Sequence, residues 1–239
     1  MKFSRRLFLK YFLSASIIPV ANPLASNQRL ARVVWHGNRE VPTIALTFDD
    51  CWNYELLLKL EAVLERNFDL RVTFFPTGIA LLNLLEKDPK IWQRLSDMGH
   101  EFGYHGYDHT LPSNLDYNQT VRDFEKWQEA LSTALGFTRD VKYARPPYGD
   151  LCWSFLRVCY DIKITPVMWS ANWSRINPVS YQKLGDAQNG DIALFHLRGP
   201  DIDSLTNTLM VLKTKSLRMV NISTLLSKYD TFWLGKQME

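Results

Sequence analysis

With 239 residues, 46% of them hydrophobic and 13% aromatic, the chain can bury one sizeable core, which excludes the disordered and fibrous classes. Its formal charge of +3 comes from 28 Lys and Arg against 25 Asp and Glu. Four of the basic residues, Lys2, Arg5, Arg6 and Lys10, precede residue 26; the rest of the chain holds 24 basic against 25 acidic side chains, with no cationic excess to attract nucleic acid.

The chain opens with the basic stretch Met-Lys-Phe-Ser-Arg-Arg-Leu-Phe-Leu-Lys, followed by the apolar residues Tyr11 to Val20 and a small-residue exit through Ala21 and Ala25. This order predicts an export signal over residues 1–25, cut after Ala25. The apolar stretch is well short of the ~20 residues a spanning helix needs, so no stable membrane span is expected after cleavage. Ser4-Arg5-Arg6-Leu7-Phe8-Leu9-Lys10 resembles the twin-arginine signal. The resemblance implies the export machinery as a partner, delivery in the folded state, and a periplasmic or secreted location. Residues 26–42 are expected to be a lead-in, 43–230 one catalytic domain, and 231–239 a C-terminal tail.

Thr43 to Phe48 reads as a buried strand that ends in Asp49-Asp50. Leu56, Leu57, Leu60, Val63 and Leu64 fall on one helical stripe, and Arg71 to Phe75 forms a second strand rich in β-branched and aromatic residues. Pro89 to Met98 suits a helix with proline in its first turn and Gly99 past its end. His100 to Tyr104 reads as a short strand; Val121, Phe124, Gln128, Leu131 and Leu135 mark a longer helix stopped at Gly136. Further strands are expected at 141–144, 164–169, 191–196 and 219–223, and helices near 152–160, 178–187 and 202–216. In a helix over 152–160, Cys152 and Cys159 would lie ~10.5 Å apart along the axis, beyond disulfide reach, so the three cysteines are expected to be free and mostly buried.

Strand–helix alternation argues for parallel strands joined by right-handed crossovers, and so for one barrel-like α/β domain with its chemistry at the C-terminal strand ends. The polar clusters fall there: Asp49-Asp50, His105 and His109, Arg145, and His196. Two imidazoles four residues apart plus a carboxylate, with open positions, suit a catalytic divalent metal. Adjacent carboxylates diverge as they leave a strand, so one can hold the metal while its neighbour faces a water.

Thr47-Phe-Asp-Asp50, His105-x-x-x-His109, Arg145-Pro-Pro-Tyr148 and Leu194-Phe-His196 occur in the order and spacing of the polysaccharide deacetylases, the NodB-like carbohydrate esterases of family 4; Val72-Thr-Phe-Phe75 and Met98-Gly-His-Glu-Phe-Gly-Tyr-His105 agree. The resemblance spans roughly residues 43 to 226. It implies a distorted, incomplete (β/α) barrel in one domain. It implies Asp50, His105 and His109 as ligands of a divalent metal, zinc by preference with cobalt, nickel or iron as alternatives. It implies Asp49 as general base, Arg145 as the group that orients it, the Tyr148 amide as oxyanion donor and His196 as general acid. Leu194 would lie beside the acetyl methyl, and Trp169 and Trp173 would suit sugar stacking. In the family an aspartate in a Trp-rich motif holds the acid histidine; here Met168-Trp-Ser-Ala-Asn172-Trp173 puts Asn172 in its place, which removes a charge that would stabilise an imidazolium. Gly106 replaces a hydroxyl residue and Cys51 a glycine, the latter read as a buried structural thiol.

The function so implied is metal-dependent removal of N-acetyl groups from an N-acetylhexosamine polymer of the cell envelope, by attack of a metal-activated water. The alternatives are hydrolysis of a non-glycan amide or an O-acetyl ester, and a glycan-binding protein with weakened catalysis.

Overall fold

The computed structural model describes residues 29–174 and 185–227. The expected signal peptide, the C-terminal tail and most of the expected 178–187 helix lie outside the described residues. Eight strands are described: β1 (Thr43–Asp50), β2 (Thr73–Pro76), β3 (Glu101–Phe102), β4 (Tyr143–Ala144), β5 (Thr165–Pro166), β6 (Ala171–Asn172), β7 (Ile192–His196) and β8 (Arg218–Val220). All pair in parallel. β1 is the hub, flanked by β2 and β7 with β8 against its N-terminal half, giving the order β3-β2-β1-β7-β6. A bridge from Tyr104 to Ala144 carries the sheet on to β4 and β5, whose far side meets Val34 through a bridge at Val167. Among the described residues β5 and β6 do not pair, so the barrel is open between them.

Strand periodicity sorts the side chains into two layers. Ala45, Phe75, Tyr143, Val167, Ile192 and Val220 pack together inside the barrel. Their neighbours Ile44, Leu46, Phe48, Phe74, Phe102 and Phe195 face outward onto the helices. Burying an aromatic such as Phe74, which has no exposed surface, stabilises the fold by about 1.5–3 kcal/mol. Trp92 and Trp127 lock the outer layer, donating their indole N–H groups to the carbonyls of Leu81 and Pro76 at 3.0 and 2.8 Å.

The helices begin where the chain supplies a cap. In α1 (Tyr54–Arg66) the Asn53 side chain accepts the Leu56 N–H. In α4 (Tyr117–Leu135) Asp116 and Gln119 form a reciprocal capping box, and Gly136 ends the helix at φ +78°. The helix α2 (Gly78–Lys87), capped by Thr77, has no counterpart in the sequence reading. The helix expected from Pro89 is α3 (Ile91–Asp97), because Asp88 accepts the Lys90 N–H and turns the chain before it can coil. The strand expected over 164–169 pairs at β5 and at the isolated Val167 bridge, and the helix expected over 202–216 is two, Gly199–Asp203 and Leu205–Thr214, the first opened early by Pro200. α5 (Trp153–Asp161) carries Cys159; Cys51 and Cys159 are buried, Cys152 is partly so, and all three are free. Among the described residues no helix is long and apolar enough to cross a membrane.

Candidate active site

Asp49, Arg145 and His196 belong to the inward-facing set of their strands, and His105 sits just past β3. In register, Asp49 lies opposite His196 across the β1–β7 pair. Alternation alone would turn Asp50 away from Asp49. Instead Asp50 adopts a left-handed backbone, φ 65°, and its carboxylate swings back to the same mouth. Cys51, His109 and Tyr148 are also left-handed, at φ 63°, 66° and 60°. Four of the six non-glycine residues with positive φ among the described residues therefore sit at or beside this mouth, where strain of about 1–3 kcal/mol each is sustained by the surrounding packing.

Arg145 has no exposed surface, and every face of it is occupied. Its Nη1 donates to Asp49 Oδ1 and Thr47 Oγ1, both at 2.7 Å; Nε donates to the Val167 carbonyl at 3.0 Å and Nη2 to that of Met168 at 2.9 Å. The guanidinium lies 4.3 Å from the Phe75 ring centroid and 5.8 Å from that of Trp169. One oxygen of Asp49 is thus held, and the other, Oδ2, faces His105 Nε2 at 3.9 Å.

Asp50 contrasts with it. Its Oδ1 lies 3.3 Å from His105 Nε2 and 3.1 Å from His109 Nε2, yet it is buried without a hydrogen-bond donor. The reason is visible on the far side of the imidazole, where His105 Nδ1 meets the Arg145 carbonyl at 2.8 Å. A carbonyl only accepts, so the ring proton sits on Nδ1 and Nε2 presents a bare lone pair. Bare nitrogen facing bare carboxylate oxygen is an arrangement that a cation resolves. Among the described residues, Asp50, His105 and His109 are the one such group whose ligand atoms lie within 4.8 Å of one another. Burial would lower the His105 pKa, but Asp49 and Asp50 carry it upward, and the same field favours a cation. Two nitrogens and a carboxylate oxygen are a donor set suited to zinc or a related divalent ion.

The loop bearing the histidines is fastened at several points. Gly78 and Ile79, opening α2, donate to the carbonyls of Gly106 and Tyr107 at 3.1 and 2.8 Å, and Asp123 on α4 accepts the Tyr107 N–H and the Tyr104 hydroxyl. Gly106 stands at φ +74°, and a Cβ there would meet Pro147 at 3.0 Å. The hydroxyl expected at that position is replaced by these contacts. The Tyr148 ring packs edge-on against His109 at 4.4 Å while remaining 69% exposed.

On the opposite wall, His196 Nε2 faces Asp50 Oδ2 at 3.9 Å. Its Nδ1 meets Ser174 Oγ at 2.5 Å, not Asn172, whose side chain is exposed on β6. The expected partnership of Asn172 with His196 is therefore corrected: Ser174, two residues on, takes that place. Burial shifts the His196 pKa down, against the pull of Asp49 and Asp50. Trp173 is 5% exposed with its edge against Phe195, so its expected sugar stacking is corrected to core packing. Trp169 is partly exposed over Arg145 and against Gly149, and Leu194 is buried on the His196 face of β7. Cys51 donates to the Phe48 carbonyl, and burial together with Asp50 and Asp49 keeps its thiol protonated, away from the ligand set. Ser174, Asp123 and Thr47 are absent from the sequence analysis as site residues; Ser174 and Asp123 lie in no motif, and Thr47 stands in one without an assigned role.

A family model described as Polysaccharide deacetylase matches residues 36–167. A peptidoglycan-N-acetylglucosamine deacetylase of Bacillus cereus is 28% identical over 193 residues, covering 76% of this chain and 67% of its own. The solved Bc1960 peptidoglycan N-acetylglucosamine deacetylase aligns with TM-score 0.71 and 26% identity, over 82% of this chain and 92% of that one. A Bacillus anthracis protein described as a CE4 family pseudoenzyme aligns with TM-score 0.72 over 82% and 69% of the two chains; at 22% identity it speaks to the fold alone. The chain spans 40% to 67% of the length of the first curated relatives it matches. The fold is the single-domain, mostly parallel α/β barrel of these neighbours.

Proposed function

The chain belongs to the polysaccharide deacetylase family, and on that premise we propose that it is a hydrolase that removes acetyl groups from the amines of N-acetylhexosamine units in a cell-wall polysaccharide. The observation that carries the reading is the division of labour between adjacent carboxylates: Asp49 tied to Arg145, Asp50 facing the ring nitrogens of two histidines. The names of relatives that act on peptidoglycan support the substrate class. The export signature of residues 1–25 supports an envelope location.

A divalent cation held by Asp50, His105 and His109 supplies Lewis acidity toward water and toward an acyl oxygen. The chain's own groups handle the protons. With Oδ1 pinned by Arg145, Asp49 stays an acceptor, and its Oδ2 takes a proton from the attacking water. The Tyr148 amide donates to the oxyanion as the carbonyl becomes tetrahedral, with Leu194 beside the acetyl methyl; losing one such donor typically costs about 3 kcal/mol. His196 Nε2 then gives its proton to the nitrogen as the C–N bond breaks, because an unprotonated amide anion is a very poor leaving group.

Acetate release from peptidoglycan, chitin, β-1,6-linked glucosamine and acetylxylan fragments, with and without added zinc, tests the reading. Metal-dependent release from the N-acetylated substrates is expected, with Asp49→Asn slower by about 10²–10⁴-fold. No metal-dependent release, release from acetylxylan alone, or an Asp49→Asn variant as active as wild type would each overturn it.

A further inference from the structure

The resemblance leaves His196 without its usual carboxylate partner, and the structure supplies another. Ser174 Oγ lies 2.5 Å from His196 Nδ1. The Asp201 carboxyl, 2% exposed in the short helix Gly199–Asp203, stands beside that hydroxyl, which favours its ionised form. Asp201 Oδ2 also accepts the backbone N–H of His196 itself, at 2.8 Å. A single buried carboxylate thus holds the His196 backbone and stands beside the hydroxyl that meets its ring.

We infer that Ser174 and Asp201 are positioning residues for the acid step, a relay in which Asp201 orients the Ser174 hydroxyl and Ser174 orients the His196 ring. The inference rests on the deacetylase reading for its kinetic consequence, not for its geometry. A hydroxyl has one proton. A carboxylate can only accept, so Ser174 donates to Asp201 and offers its lone pair to His196. His196 Nδ1 must then carry a proton, in the neutral ring as in the charged one. That fixes the tautomer and aims Nε2 at the mouth, where it faces Asp50 Oδ2. When the C–N bond breaks, its electron pair goes to nitrogen, Nε2 loses its proton to that nitrogen, and the Nδ1 and Ser174 protons stay in place. The partner nearest His196 is therefore neutral, so the charge that stabilises the imidazolium sits one hydroxyl further away than in a direct carboxylate–histidine pair.

A leaving-group comparison separates this role from simple packing. On an N-acetylglucosamine oligomer, Ser174→Ala should lower kcat by about tenfold or more with KM within about twofold, since proton donation contributes about 10²–10⁴-fold to such steps. With 4-nitrophenyl acetate, whose phenolate leaves unaided, the same variant should change kcat by less than about twofold. Ser174→Thr, which keeps the hydroxyl, should recover most of the amide activity, and Asp201→Asn should fall on the Ser174→Ala side. Equal losses on both substrates, or no loss on either, would overturn the relay. The second readout needs no turnover: ¹⁵N spectra of labelled histidine, assigned with His196→Gln, should show neutral His196 protonated on Nδ1 in the wild type and redistributed to Nε2 in Ser174→Ala. An unchanged tautomer would overturn the relay even if the protein proves inactive on amides, whereas inactivity with the expected tautomer would count only against the deacetylase reading.

Discussion

On the β1–β4 side of the mouth, Asp49 meets a guanidinium that has no exposed surface and makes four hydrogen bonds, to Asp49, Thr47 and two backbone carbonyls. On the β7 side, His196 is held at its ring by a serine hydroxyl, and only through it by a carboxylate. A direct buried ion pair fixes one carboxylate oxygen and leaves the other to take a proton, as suits a base. A neutral contact lets an imidazole gain and lose charge, as suits an acid. Burial pushes the His196 pKa down, in keeping with a proton given up readily.

The two sides should also differ in what they contribute to stability. Arg145→Gln leaves Asp49 buried and uncompensated, at a cost of about 3–5 kcal/mol, whereas Ser174→Ala removes a hydroxyl from between two partners and should cost about 1–2 kcal/mol. Urea unfolding of the two variants measures the contrast. Equal losses would mean that the relay supports the fold as much as the ion pair does.

A smaller effect separates acid sensitivity of the fold from that of the mouth. His100 stands at the other end of the strand that leads to His105, 1% exposed beside Phe74. It accepts the Val72 N–H on Nδ1, so its proton is on Nε2, which has no partner. Burial lowers its pKa from 6.5 to about 4. Because the folded value lies below the unfolded one, the unfolded chain binds the extra proton first: this contribution is fully present above about pH 6.5 and is lost as pH falls toward 4. Between pH 7 and pH 5 His100 should account for about 2 kcal/mol of lost stability, and His100→Gln should lose that much less over the same interval. Parallel pH profiles for wild type and variant would place the acid sensitivity elsewhere.

The mouth is legible in the sequence because its groups end strands and sit in short motifs: Asp49-Asp50 after an apolar run, His105 and His109 four apart, Arg145 before two prolines. What holds these groups is less legible. Ser174 and His196 are 22 positions apart and meet only because β6 lies beside β7. Asn172 looks like the partner of His196 by position in its motif, but its side chain is exposed. Among the elements, α1 and α4 show in the spacing of their apolar residues, whereas Gly78–Lys87 is so apolar that no stripe stands out, leaving the Thr77 cap as its clearest sign. β4 and β5 make so few formal pairs that the barrel's opening could not be read from strand-like composition. The left-handed turn at Asp50, which brings both carboxylates to one mouth, has no compositional signal at all, since aspartate and cysteine stand where glycine would advertise it.

The division between those carboxylates is tested most directly by zinc affinity, measured by competition with a chromogenic chelator for wild type, Asp49→Asn and Asp50→Asn. Asp49→Asn should bind zinc within about threefold of wild type, and Asp50→Asn, which loses a charged ligand, should bind about 10–100-fold more weakly. If Asp49→Asn weakens zinc binding as much as Asp50→Asn does, the two residues share one role and the account of adjacent base and ligand is wrong.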